Sequence, residues 1–137
     1  MLRIVLGVVA GFVSWVIVWF VGETILSVMW PSFGEHQAAF QAAIEAGPRI
    51  PHFYSDSTFL AIHCVLASIV SLLAGLVSAF VAGENKRAPL IVGLLLLALG
   101  LLKAVTSWPL VPIWYHILFT AILLPLTIAG ATMKYRP

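Results

Sequence analysis

Charge is scarce in this chain. Of 137 residues, 7 are Lys or Arg and 5 are Asp or Glu, 9% in all, against 62% hydrophobic. A soluble domain carries about a quarter charged residues and about half apolar ones. This chain has too little polar surface to cover a water-facing exterior, so lipid must cover part of it; the mean hydropathy of +1.10 agrees. Cysteine is nearly absent. Cys64 stands alone, which excludes an intrachain disulfide and a CxxC redox pair, and with them a thiol–quinone oxidoreductase. Catalytic signatures are also missing: there is no Ser-His-Asp order, phosphate loop, HxxxH zinc pair or paired catalytic carboxylate. Glu45 and Asp56 read as loop charges. The net charge of +2 comes from a few basic residues scattered around the ends of apolar runs, which is an orientation signal in a bilayer rather than a nucleic-acid surface. The first apolar run lacks an A-x-A exit, which argues against a cleaved signal peptide.

What the chain does have is long apolar runs. Four of them, residues 4–29, 58–82, 89–108 and 112–133, can each cross roughly 30 Å of hydrocarbon, which takes about 20 helical residues. Helices or closed barrels alone satisfy their backbone groups there, and these runs show no strand-like alternation. The expected fold is all-α: one integral membrane domain over residues 1–137, an up-down-up-down four-helix transmembrane bundle. Pro89 and Pro112 fit the first turns of helices, where a missing N–H costs nothing. Asp56, Ser57 or Thr58 can cap the second span. Pro125 falls inside the fourth and should kink it, leaving the Ala121 carbonyl without its usual partner.

Orientation follows from Lys and Arg. Arg3, Lys86, Arg87, Lys134 and Arg136 share one side, Arg49 lies on the other, and Lys103 is within a span. The positive-inside rule then places both termini and the 83–88 loop in the cytoplasm of an inner-membrane protein. The 31–57 loop and the 109–111 turn face outward, with Trp30, Trp108, Trp114 and Tyr115 as interfacial anchors.

The outer loop has its own structure. Ser32-Phe33-Gly34-Glu35 reads as a capping box, residues 35–46 are helix formers, and Gly47-Pro48 ends them. Phe33, Phe40 and Ile44 share a face with Gln37 between them, giving a short amphipathic helix that lies on the outer surface or lids the bundle. Residues 49–56 read as irregular, with Phe53 and Tyr54 as anchors and His36 and His52 solvated.

One ionisable residue falls on each span at similar depth: Glu23, His63, Lys103 and His116, all roughly 6–10 Å from the outer boundary at 1.5 Å per residue. Burying such groups in a membrane is costly, so they face the interior and pair. Glu23 and Lys103 have opposite signs, and the histidines can complete the hydrogen bonds. A proton, ion or ligand site opening outward fits this layer, and so does a structural ion pair with Lys103 snorkelling to the interface. Two histidines on different spans also fit a b-type haem, or a zinc ion shared with Glu23. Both readings are weakened by position near the surface and by the lack of a local ligand motif. Cys64 reads as an inert small apolar residue.

Small residues mark packing faces: Gly7, Gly11 and Ser14 on the first span, Gly75, Ala79 and Gly83 on the second. They can join these spans or seat another subunit. At 100° per residue Glu23 lies about 160° around from Gly7, so an inward Glu23 turns the glycines towards a partner unless neighbouring helices flank them. On the fourth span His116, Thr120, Leu123, Thr127 and Gly130 share a face that should point inward.

Two stretches, Ala82-Gly83-Glu84-Asn85-Lys86-Arg87-Ala88-Pro89-Leu90 and Leu110-Val111-Pro112-Ile113-Trp114-Tyr115-His116, resemble a group of short uncharacterised bacterial four-span membrane proteins along the whole chain. The resemblance implies a bacterial origin and no activity. In size, span number and first-helix glutamate the chain is also similar to small multidrug resistance transporters. Those have a shorter first loop and a glutamate near mid-membrane, so that likeness is architectural. The reading that follows is a non-enzymatic, cofactor-free structural or accessory subunit, forming a homo-oligomer or part of a larger membrane complex. The alternative is a small transporter or ligand-binding protein using the Glu/Lys/His layer.

Overall fold

The computed structural model describes residues 1–47, 53–83 and 85–135. Pro48, Arg49, His52, Glu84 and Arg136, each used in the sequence reading, lie outside them. Five helices follow in order: α1 (Leu2–Met29), α2 (Pro31–Ala46), α3 (Ser57–Ala82), α4 (Arg87–Thr106) and α5 (Ile113–Lys134). All but α2 are long and apolar enough to cross a membrane, as the sequence led us to expect.

The spans do not sit around the bundle in chain order. α3 packs on α1 and α5, α5 on α4, and α4 closes the ring on α1. The ring therefore runs α1, α3, α5, α4, with α3 and α4 on a diagonal. Among adjacent pairs, α1 and α4 touch least.

Glycine sets the tight contacts, and the contacts are internal. A Cβ on Gly7 would lie 2.7 Å from Ala82 Cβ, and one on Gly11 2.8 Å from Ser78 Cβ. Gly75 of α3 meets the Thr127 carbonyl of α5, and Gly130 of α5 meets the Leu72 carbonyl of α3, with no room for a Cβ at either. Ala79 is fully buried. The faces that the sequence left open to a partner subunit are thus filled by the chain's own helices. Gly83 has a different job. At φ +74° it ends α3, and its carbonyl accepts from Lys134 Nζ (2.7 Å) and Tyr135 Oη (2.9 Å), while Lys134 Nζ also donates to the Ala79 carbonyl (2.8 Å). A cation at a helix C-terminus satisfies orphan carbonyls and the macrodipole together.

The helical-wheel conflict between Gly7 and Glu23 also resolves. Gly7, Gly11, Trp15, Trp19 and Glu23 form one row at four-residue spacing. Its partners climb α3 in reverse: Ala82 and Ser78, then Ser71, then His63. Such a row is inclined to the helix axis and drifts around it, so two positions 160° apart meet the same crossing neighbour at opposite ends.

Boundaries shifted where capping differed from expectation. α2 begins at Pro31, after Trp30, with no side-chain cap. The proposed capping box is absent because Pro31, whose fixed φ suits a first helical position, starts the helix earlier. Asp56 Oδ1 does accept the Thr58 N–H (2.8 Å). α4 starts at Arg87, whose N–H is taken by Asn85 Oδ1 (2.9 Å), so Pro89 is its third residue. It stops at Thr106, where the Ser107 N–H (3.0 Å) and hydroxyl (2.7 Å) both donate to the Lys103 carbonyl, ahead of Pro109.

Candidate functional site

α2 lids one end of the bundle. Phe33, Phe40 and Ala43 are buried under it, and Gln37 lies on the same face, as the spacing of the apolar residues implied. The lid is fastened by a triangle of polar atoms. Gln37 Nε2 donates to Glu23 Oε1 (3.0 Å), His63 Nε2 lies 3.0 Å from the same oxygen, and the two nitrogens touch. The His63–Glu23 edge needs one proton, on nitrogen or on oxygen. The Phe33 ring packs edge-on against the His63 imidazole at 5.3 Å, and Trp19 stacks on it at 5.5 Å.

Lys103 does not join Glu23. Among the described residues the sole ion pair is His63–Glu23. The Lys103 ammonium instead donates to Tyr115 Oη (3.1 Å) and sits among the rings of Phe119 (4.3 Å), Trp19 (5.5 Å) and Phe40 (5.8 Å). Cation–π attraction to a desolvated ammonium is worth about 2 kcal/mol or more, and here it replaces the carboxylate expected from the sequence. Tyr115 is accordingly not an interfacial anchor. It is 1% exposed, whereas Trp30, Trp108 and Trp114 are 42%, 56% and 40% exposed. One residue of helix turns the side chain by 100°, so an outward Trp114 sends Tyr115 inward.

His116 is inward too, but it belongs to neither group. Its ring stacks on Trp108 at 5.1 Å, and its Nε2 lies 3.4 Å from the Trp108 carbonyl. The four ionisable residues of the layer therefore separate into three settings. The two imidazole Nε2 atoms face different partners rather than a common slot for a haem. Among the described residues no three His, Cys, Asp or Glu converge on a point where zinc would sit. Of the rest of the expected α5 face, Leu123, Thr127 and Gly130 are buried and Thr120 is half-buried.

Glu23 and Lys103 nonetheless share a space. Both line a cavity of about 390 Å³ between α1, α2, α4 and α5, whose walls include Trp15, Trp19, Phe40 and Phe119. Glu23 Oε2 accepts no hydrogen bond among the described residues, and Lys103 Nζ donates to Tyr115 alone, with aromatic rings around it. The cavity is thus a largely apolar, aromatic box, bordered also by Gln37, Gln41 and Thr106, with a carboxylate on one wall and an ammonium on another. This box escaped the sequence reading, although Trp15, Trp19 and Glu23 fall in one four-residue row that would have placed two indoles beside the carboxylate.

His36 is partly buried rather than solvated. Its Nε2 accepts the Asp56 N–H (3.0 Å), and its ring lies 5.2 Å from both Phe53 and Phe59. Burial pushes its pKa below the usual 6.5, outweighing the raising effects of Gln37 and Asp56. A histidine held neutral in the fold binds fewer protons than in the unfolded chain, so its contribution is present above 6.5 and is lost as pH falls through its lowered folded pKa. Hydrogen exchange of the Asp56 amide and of α2 is therefore expected to speed up, relative to α3, as the pH drops below 6.5, and His36→Phe should flatten that dependence. An α2 protection ratio independent of pH would contradict this.

Comparison of the chain with protein-family models, with curated proteins and with solved structures gives no match.

Proposed function

We propose that this multi-pass membrane protein binds a small dipolar ligand in the cavity beneath α2, as a carrier or receptor rather than as a catalyst. The observation that carries the reading is the pair of opposite charges on the wall of one cavity that do not meet. Ionisable groups within a bundle normally pair because an isolated one is costly. Here Glu23 is held by His63 and Gln37, and Lys103 by Tyr115 and aromatic rings, leaving space between them. A head group with its own positive and negative ends fits that space, the first towards Glu23 Oε2 and the second towards Lys103. By the positive-inside rule, the α2 end of an inner-membrane protein of this charge pattern faces away from the cytoplasm.

The reading as a structural or accessory subunit loses one of its supports, since its small-residue faces are used within the chain. The test uses Trp15 and Trp19 as reporters. Protein in phosphatidylcholine nanodiscs is titrated with butyl phosphoethanolamine while tryptophan emission is followed. The wild type is expected to give a saturable change. Lys103→Met and Glu23→Gln are each expected to weaken it at least about tenfold, the loss of one charge-assisted hydrogen bond, while helical content stays unchanged. An unsaturable response, or one identical in all three proteins, would sink the reading.

A further inference from the structure

The cavity does not end at its aromatic box. Leu99 and Leu102, which line it, also line a second hollow of about 430 Å³ together with Phe12, Leu95 and Ala98. No polar or charged side chain borders that hollow. It lies on the α1–α4 seam, the adjacent pair that touches least, and Leu95, Ala98, Leu99 and Leu102 are all exposed on the bundle surface. In a spanning bundle that surface faces lipid. The two hollows share a wall at Leu99 and Leu102, so the space that is polar at the α2 end borders on apolar space below it. From Lys103 to Leu95 the two hollows follow eight residues of α4, about 12 Å of helix axis.

From this geometry we infer that the ligand is a single-chain zwitterionic lipid of the lysophosphatidylethanolamine type, which enters sideways from the bilayer. The inference rests on the ligand-binding reading above and deepens it. The phosphate lies against Lys103, which has N–H groups that no oxygen among the described residues accepts. The primary ammonium lies against Glu23 Oε2. The chain follows the α1–α4 seam, where one hollow of about 430 Å³ lined by apolar side chains alone receives it. A choline head has the same charges but no N–H to give to Glu23, so the site prefers a primary ammonium. A water-soluble head of the same chemistry has no use for the apolar hollow, and that difference separates a lipid from an aqueous ligand.

The experiment is a competition in phosphatidylcholine nanodiscs, reading how much lysolipid, as a mole fraction of the bilayer, halves the tryptophan response to butyl phosphoethanolamine. In the wild type, oleoyl lysophosphatidylethanolamine is expected to displace the butyl probe, and oleoyl lysophosphatidylcholine to do so at least about tenfold less well, one charge-assisted hydrogen bond being worth that factor. Ala98→Phe fills the apolar hollow from its lipid-exposed wall. It should weaken the oleoyl lipid at least about tenfold, in line with tail area removed from contact, and leave the butyl probe unchanged. Leu95→Trp blocks the same hollow one turn lower and serves if Ala98→Phe fails to fold. If either folded variant still binds the oleoyl lipid like the wild type, or if the wild type shows no displacement, the lipid inference is overturned while the cavity reading stands. If the butyl probe itself does not depend on Lys103, both fall. Equal competition by the two lysolipids would overturn the assignment of the ammonium to Glu23.

Discussion

Gly75→Ala is expected to be the most damaging single-methyl change in the spans, with Gly130→Ala close to it. The added Cβ at Gly75 falls on the Thr127 carbonyl, and the one at Gly130 falls on the Leu72 carbonyl. In both cases the obstacle is backbone, so no rotamer change relieves it, and α3 and α5 must move apart along their length. Overpacking a core that can adjust costs about 1–3 kcal/mol, and a seam of two rigid helices should reach or exceed the upper end. Intrinsic propensity works the other way, since Ala is favoured over Gly in a helix by about 1 kcal/mol. A net loss would therefore report the contact itself. Gly22→Ala is the control. Its Cβ would meet the Leu66 Cδ1 at 2.6 Å, the far end of a side chain that can rotate away. Unfolding midpoints in mixed micelles should fall sharply for Gly75→Ala and Gly130→Ala and little for Gly22→Ala. Equal midpoints for all three would show that the α3–α5 seam is looser than described.

Glu23→Leu should have the second largest effect, and it should be felt in α2. The change leaves His63 Nε2 and the Gln37 amide without the oxygen that both now face. A buried polar group stripped of its partner costs about 1–3 kcal/mol. His63 is 2% exposed and Glu23 22% exposed, so the imidazole bears most of that cost and the carboxylate itself was partly solvated. A loss of about 2–3 kcal/mol is expected, with faster hydrogen exchange in α2 than in α3. The double change Glu23→Leu with His63→Phe should recover part of the loss, because the deeply buried imidazole no longer needs a partner, while the Gln37 amide, whose two partners are both removed, keeps the recovery incomplete. If Glu23→Leu matches the wild type in stability and in α2 exchange, Gln37 and His63 do not fasten the lid.

Part of this architecture was legible in the sequence and part was not. The spans were legible because lipid imposes a length and a composition that nothing else in so short a chain would satisfy. The α2 helix was legible from Phe33, Phe40 and Ile44 sharing a face. The depth of Glu23, His63, Lys103 and His116 could also be counted along each helix. Their partners could not, because pairing depends on which spans are neighbours, and the ring order seats α5 between α3 and α4. Opposite signs on Glu23 and Lys103 pointed to a direct pair, yet Gln37 sits on a loop helix whose docking no span pattern specifies, and it supplies the carboxylate with a nearer partner. The aromatic rings that hold Lys103 come from three different helices, α1, α2 and α5. No local motif records such a gathering. Small-residue spacing identified close approach correctly but was silent on which helix approaches.

The junction of α1 and α2 bears on how such a pocket fills. A single residue, Trp30, separates the two helices, with φ −134° and ψ 88°, and the proline after it narrows the backbone angles Trp30 can adopt. A lid on so short and stiff a joint cannot swing far without unwinding a turn of one helix. On the lipid inference above, exchange along the seam of α1 and α4 is therefore expected to outpace exchange with water over the top of the bundle. Occupancy of the pocket by such a lipid would then follow the membrane's composition rather than that of the surrounding solution. Apparent affinity quoted per litre of buffer should drift as lipid is added, while the same data quoted per lipid molecule should superimpose.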